Sequence, residues 1–251
     1  MNSISLRQFI LNAFFPKRCA LCGTVINPHY RLCKECESGS FFIKDEICTF
    51  CGAEKQFCKC KKHKNSYSAV CAPFYYRNGA KRAVLKLKYG NGGEYAKNLS
   101  SYMAQCVKKN YSDIIIDEIC FVPMTARQEK QRSFNQSELL ANGLSQLLGI
   151  PVRKYLVKEF ETKPQHSLKE SLRKGNVLGA YNAGEVFENS SLKQRSVEKI
   201  SPEGKTILLC DDIKTTGSTL NECAKMLLLS GAKEVVCVTA AITNNRVDKN
   251  K

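Results

Sequence analysis

Apolar positions change their period along this chain, and the changes mark out its elements. Thr206 to Cys210 is continuously apolar and partly β-branched, the pattern of a strand buried on both faces of a sheet. Glu234 to Ala241 repeats that pattern, Ile119 to Val122 gives a short strand ended by Pro123, and Tyr67 to Tyr76 reads as the first strand of the region. Between them the period lengthens. Ala83, Val84 and Leu87 with basic residues among them predict a short basic amphipathic helix over Ala80 to Lys88, and Tyr95 to Lys108 predicts a second. Gln136 to Leu148 and Ser218 to Ser230 read as helices, with a shorter one at Ser167 to Lys174. Tyr181 to Gly204 is polar and reads as a surface loop or flap, while the terminal NNRVDKNK should fray.

Strands alternating with helices predict an α/β domain with a parallel sheet covered by helices on both faces. At 251 residues and 43% hydrophobic composition, the chain has room for such a domain plus a smaller one. The first residues, MNSISLRQFILNAFF, have no basic start, and Arg7, Gln8 and Asn12 interrupt their apolar run. They predict a short amphipathic helix, neither a signal peptide nor a membrane span, and hence a cytoplasmic protein with no membrane insertion.

Cysteine usage sets the smaller domain apart. Of 14 cysteines, eight fall between Cys19 and Cys60 in close pairs. Cys19, Cys22, Cys33 and Cys36 form two CxxC pairs; Cys48, Cys51, Cys58 and Cys60 form a CxxC and a CxC. Each quartet offers four thiolates, the closed tetrahedral set of structural zinc, with an iron–sulfur cluster or a redox pair as the alternatives. Gly23 and Gly52 follow the second cysteine of a pair, where a knuckle turn needs positive φ. His29 and His63 flank cysteines, but eight thiolates already fill two sites. The region is too short for a core of its own, so metal supplies its folding free energy. This gives a double zinc-ribbon domain with an N-terminal helix over 1–65 and a second domain over 66–251. The remaining Cys71, Cys106, Cys120, Cys210, Cys223 and Cys237 lie singly in apolar stretches and read as buried reduced thiols.

The run Ile207 to Leu220, ILLCDDIKTTGSTL, joins a strand to two acidic residues, a hydroxyl-rich loop and a helix start. Ligands of open α/β sheets bind at the carboxyl ends of strands. Thr215, Thr216, Gly217, Ser218 and Thr219 offer hydroxyls and backbone N–H groups at a helix N-terminus, which suits a phosphate. Asp211 and Asp212 suit ribose hydroxyls or water on magnesium, because ionised carboxylates only accept. Lys214 either neutralises ligand charge or points to solvent. Read without a ligand, the same residues make an ordinary capped strand-to-helix turn.

This run resembles the 5-phosphoribosyl-1-pyrophosphate (PRPP) motif of type I phosphoribosyltransferases, which implies ribose hydroxyls on Asp211 and Asp212 and the 5-phosphate in the Thr215 to Thr219 loop. Three further stretches extend the likeness: FVPM at Phe121 to Met124, RSFNQSELLA at Arg132 to Ala141, and TKPQHSLKESLRKGN at Thr162 to Asn176. In this order, after a cysteine region, they resemble the ComF family of competence proteins, which couple a zinc ribbon to a phosphoribosyltransferase-like domain. The resemblance implies a type I phosphoribosyltransferase-like fold, PRPP with magnesium as ligand, diphosphate at backbone amides of Pro123, Met124 and Thr125, and a role in DNA uptake with single-stranded DNA and a competence helicase as partners. RSFNQ departs from the family's usual RGFNQ at Ser133, where a positive φ would be strained. Asn135 and Gln136 either orient a ligand or cap a helix; Arg173 and Asn176 either contact the phosphate loop or tie the flap down. His166 is a further polar residue of that stretch.

Charge adds a second possible partner. The formal charge is +16, and two Zn(Cys)4 centres of about −2 each would lower it to about +12. Basic residues cluster at Lys59 to Lys64, Arg77 to Lys88, Arg127 to Arg132 and Arg153 to Lys158. Arg82, Lys86, Lys88, Arg127, Lys130 and Arg132 are the candidates for nucleic-acid contact, against the alternative of a solvated lysine-rich surface. No acid/base residue for an incoming nucleobase is evident: the purine-salvage enzymes place a carboxylate where this chain has Thr215, a poor base near neutral pH. Two functions follow, a DNA-uptake protein whose PRPP site is regulatory, or an active pentosyltransferase with an unidentified acceptor.

Overall fold

The computed structural model describes residues 16–30, 32–58, 60, 65–90, 92–158, 181–183 and 201–244. The predicted N-terminal helix, the helix at Ser167 to Lys174, His63, His166, Arg173, Asn176 and the last residues lie outside the described residues, as does most of the predicted flap.

A parallel sheet carries the molecule. Its strands are β1 (Ala69–Cys71), β2 (Phe74–Tyr75), β3 (Glu118–Phe121), β6 (Thr206–Lys214) and β7 (Glu234–Ile242). They run in the order β1-β7-β6-β3, with β2 continuing along β7 beyond β1. The single strand anticipated from Tyr67 to Tyr76 is therefore two, separated by Ala72 and Pro73; proline has no N–H to give to a ladder. Strand β6 is also longer than its apolar run. It continues through Asp211 and Asp212 to Lys214, in register with β7 up to Lys214 opposite Ile242. Backbone pairing on the β7 side carries the polar residues along, which side-chain pattern alone does not report.

Between the strands lie α2 (Asn78–Tyr89), α3 (Gly92–Asn110), α4 (Ala126–Arg132), α5 (Gln136–Leu148) and α6 (Ser218–Leu229), preceded by the short α1 (Lys34–Ser38). Both sheet faces are covered. Leu208, Cys210, Val236 and Val238 pack with Leu87, Leu99, Met103, Leu140 and Leu144 of α2, α3 and α5. Ile207, Leu209, Val235 and Cys237 pack with Leu220, Cys223 and Leu227 of α6. Leu208 and Leu209 are fully buried, so truncating either to alanine would cost about 2–5 kcal/mol. The remaining single cysteines are buried except Cys106, which is half-buried on α3.

Tyr181–Ala183 is strand β5, paired antiparallel with β4 (Leu156–Lys158), and Tyr181 is buried against α6. The start of the predicted surface loop is thus part of the core; one aromatic and its neighbours are too short a run to show period-2 alternation.

The cysteine region packs onto the sheet instead of standing apart. Leu21, Phe41 and Ile47 belong to the same core as α2 and α3. Backbone bonds from Val70 N–H to Thr49 O, Tyr75 N–H to Phe41 O and Ile43 N–H to Pro73 O cover the β1–β2 edge, which would otherwise present unpaired groups. Folding of this region therefore draws on shared apolar burial as well as on metal.

Candidate functional site

The carboxyl ends of β3 and β6 bring the predicted site residues together. Asp211 and Asp212 are both buried. Asp211 Oδ1 accepts hydrogen bonds from Ser137 Oγ at 2.9 Å and from the Asp212 N–H at 2.8 Å. Burial, and then the neighbouring Asp212 carboxylate, push the Asp211 carboxyl up to about 7. Asp212 answers a different group: Lys88 Nζ lies 2.7 Å from its Oδ2.

The loop beyond the strand has the form a phosphate cradle needs. Gly217 sits at φ 85° as the residue before α6. Thr216 Oγ1 contacts Ser218 Oγ at 2.8 Å and accepts from Ser218 N–H at 3.3 Å, which fixes the turn and leaves the following N–H groups of the helix start pointing outward. Thr215 is held from behind by Thr243, whose Oγ1 donates to its carbonyl at 3.5 Å. Lys214 does not reach solvent: it is 8% exposed and its Cε lies 3.1 Å from where a Cβ on Gly217 would stand, with Tyr67 Oη equally near. A side chain at Gly217 therefore meets Lys214 and Tyr67 and an unfavourable φ.

The loop after β3 holds Pro123 and Thr125 buried and Met124 half-buried. Thr125 is the N-cap of α4 in a capping box with Gln128, whose Oε1 accepts from the Thr125 N–H at 3.2 Å. Proline has no N–H, so Met124 supplies the amide of these three that the capping box does not use. Asn135 both caps and positions: its Oδ1 accepts from Ser137 N–H at 2.9 Å and its Nδ2 donates to Val122 O at 3.1 Å. Ser133 closes α4 at φ 64°, a left-handed conformation that costs a serine more than the glycine usual at this place in RGFNQ.

Ser137 was not singled out from the sequence. Its only signal is a hydroxyl in the first turn of a helix opening beside FNQ, and that signal is also ordinary capping chemistry.

The nucleic-acid candidates lie in different surroundings. Arg82 pairs with Glu35 of α1 at 2.6 Å, and Lys86 lies 5.6 Å from the Tyr95 ring centroid. Lys88 faces the acidic pair: six positions after Arg82, it lies well round the helix from it. Arg132 stacks on Tyr89 at 5.3 Å, while Arg127 and Lys130 are exposed on α4.

Both cysteine quartets assemble in the sequential grouping. Cys19, Cys22, Cys33 and Cys36, and separately Cys48, Cys51, Cys58 and Cys60, hold their sulfurs within 4.8 Å of one another. Zinc–sulfur bonds of about 2.3 Å in a tetrahedron imply sulfurs about 3.8 Å apart, and Cys22–Cys33 and Cys51–Cys58 stand at 3.5 Å and 3.8 Å. Gly23 and Gly52 take φ 73° and 81° at the knuckles. The donor sets fit zinc. Among the described residues no helix is long and apolar enough to cross a membrane.

Comparison with known proteins finds two matching domains. Residues 10–73 match the double zinc ribbon domain and residues 135–251 the phosphoribosyl transferase domain. Competence protein F of Haemophilus influenzae is 28% identical, over 88% of this chain and 95% of its own. DNA utilization protein YhgH of Escherichia coli is 26% identical over 88% and 94%, and competence protein ComFC of Streptococcus pneumoniae 27% over 87% and 96%. Among solved structures, the glutamine PRPP amidotransferase of B. subtilis aligns over 58% of this chain and 26% of its own at 24% identity and a TM-score of 0.34. An adenine phosphoribosyltransferase aligns over 63% and 75% at 12% identity and a TM-score of 0.38. In its two matched domains and over most of its length, the chain is similar to these competence and DNA utilization proteins, joining a double zinc ribbon to a phosphoribosyl transferase domain.

Proposed function

We propose that this protein binds PRPP with magnesium at the carboxyl ends of β3 and β6 and serves DNA uptake, contacting single-stranded DNA. The observation that carries the reading is the juxtaposition of a buried Asp211–Asp212 pair with the Thr216–Gly217–Ser218 turn at the start of α6. Carboxylates accept from ribose hydroxyls, and the helix N-terminus favours the 5-phosphate, so one ligand satisfies both. Met124 N–H is the amide toward a diphosphate. Bound magnesium would supply charge neutralisation at the diphosphate, with Asp211 and Asp212 as the nearest hard oxygen donors. Zinc in the two quartets is structural. The DNA-uptake setting rests on the names of the full-length relatives, and a companion helicase and a cytoplasmic location belong to the same proposal.

Pentosyl transfer to an acceptor is the other reading. Nothing at Thr215 provides a base for it, and the hydroxyl loop binds without activating a nucleophile. Incubating zinc-loaded protein with PRPP, magnesium and a nucleobase panel separates the two. Ligand retention without pyrophosphate release supports the binding reading; base-dependent release would establish the transferase.

A further inference from the structure

The acidic pair is already answered by a cation of the protein itself. Lys88 stands near the end of α2 with its side chain 19% exposed, and Asp212 across from it is 7% exposed. Apart from that ion contact, Asp212 Oδ2 has no hydrogen-bond partner among the described residues. Asp211 holds its Oδ1 in bonds from Ser137 and the Asp212 N–H, and its charge adds to that of Asp212 in favouring the lysine's ammonium. Lys88 also lies outside residues 135–251, so the part of the chain that precedes the matched phosphoribosyl transferase segment contributes a charged group to its site.

A buried pair of this kind adds little net stability over an apolar one. Desolvating both charges offsets most of their attraction, and an apolar pair would hold the helix as well. What it does provide is a cation that can change partners. Asp212 Oδ2 is enclosed, so a ribose hydroxyl that donates to it competes with Lys88 Nζ for the same oxygen, and an ammonium displaced in this way needs an anion within reach of its four-carbon stem. The loop assigned to the diphosphate leaves the sheet beside this pair: Val122 N–H donates to Cys210 O, so Pro123 to Thr125 follow β3 next to the point where β6 reaches Asp211 and Asp212.

Resting on the PRPP reading of this site, we propose that Lys88 is a specificity-determining residue that neutralises Asp212 in the free protein and passes to the diphosphate when a ribose hydroxyl takes the carboxylate. Lys88 thereby favours ligands that carry a diphosphate at C1. Ribose 5-phosphate displaces the lysine too, but offers it nothing in return.

The test is calorimetric titration of wild type and Lys88→Met with PRPP plus magnesium and with ribose 5-phosphate plus magnesium, zinc content and melting temperature serving as folding controls. Wild type should prefer PRPP. Lys88→Met should lose about tenfold or more in PRPP affinity while ribose 5-phosphate affinity rises or holds, so the preference collapses; a factor of ten is about 1.4 kcal/mol. Lys88→Gln keeps a hydrogen-bond donor for Asp212 without the charge and carries the same expectation should the methionine variant fail to fold. A ratio of affinities unchanged in a folded Lys88 variant, with wild type binding PRPP, would overturn this proposal alone. A folded, zinc-loaded wild type that binds neither ligand would overturn it together with the PRPP reading.

Discussion

Ser137 Oγ donates to Asp211 Oδ1 across 2.9 Å, joining the first turn of α5 to the carboxyl end of β6 between residues 74 apart in sequence. A carboxylate that must accept from a ligand has to be aimed, and this bond with the Asp212 N–H fixes one of its oxygens and leaves the other. Ser137→Ala should weaken PRPP binding several-fold and destabilise the fold by about 1 kcal/mol. Calorimetry with thermal melts checks both, and an unchanged affinity would show that Asp211 needs no such support.

Binding should depend on pH through the same residue. Burial and Asp212 raise the Asp211 carboxyl to about 7, so below that value it is mostly protonated and a poorer acceptor for a ribose hydroxyl. PRPP affinity should therefore increase as pH rises through about 7. Loss of the Ser137 hydrogen bond, which favours the ionised form, should move the midpoint upward. Asp211→Asn should flatten the profile; a profile equally steep in that variant would assign it to another group.

Zinc removal should unfold more than the ribbon. Leu21, Cys36, Phe41 and Ile47 share a core with α2 and α3, and the ribbon's backbone covers the β1–β2 edge. Elemental analysis of reduced protein should give about two zinc ions per chain. Chelation should lower the melting temperature of the whole chain and bring the sheet into exchange with solvent deuterium. One zinc or none, or an intact sheet after chelation, would contradict this.

Single-stranded DNA binding should fall on α4 rather than α2. Arg127 and Lys130 are exposed there, whereas Lys86 and Lys88 of α2 are half-buried, Lys88 against Asp212. Arg127→Gln with Lys130→Gln should weaken binding and reduce the slope of log affinity against log salt by about 1.4, at roughly 0.7 for each phosphate no longer neutralised. Anisotropy at several salt concentrations measures that slope. An effect from Arg82→Gln as large as from the α4 pair would move the interface to α2.

Most of the scaffold was legible because its signals are local. The continuous apolar runs located β6 and β7, and Gln136–Leu148 formed with the predicted bounds. The cysteine spacing gave the two quartets their grouping. What escaped was set by tertiary partners. Lys88 looks from its neighbours like one more lysine on a basic helix, and only the packing of α2 against the sheet turns it toward Asp212. Lys214 became a buried support of the loop before α6 through the extension of β6, which its own side chain does not announce. Tyr181 was hidden in a polar stretch because β5 is only three residues long.

The central claim is that Asp211 and Asp212 with the Thr215 to Thr219 loop form a working PRPP site. Calorimetric titration of zinc-loaded wild type and of the Asp211→Asn, Asp212→Asn double variant with PRPP, with and without magnesium, tests it most directly, because asparagine keeps the shape and removes the charge. Magnesium-dependent binding by wild type, weakened at least tenfold in a double variant of unchanged fold, is the predicted result. Equal binding by both proteins, or none by correctly folded wild type, would contradict it.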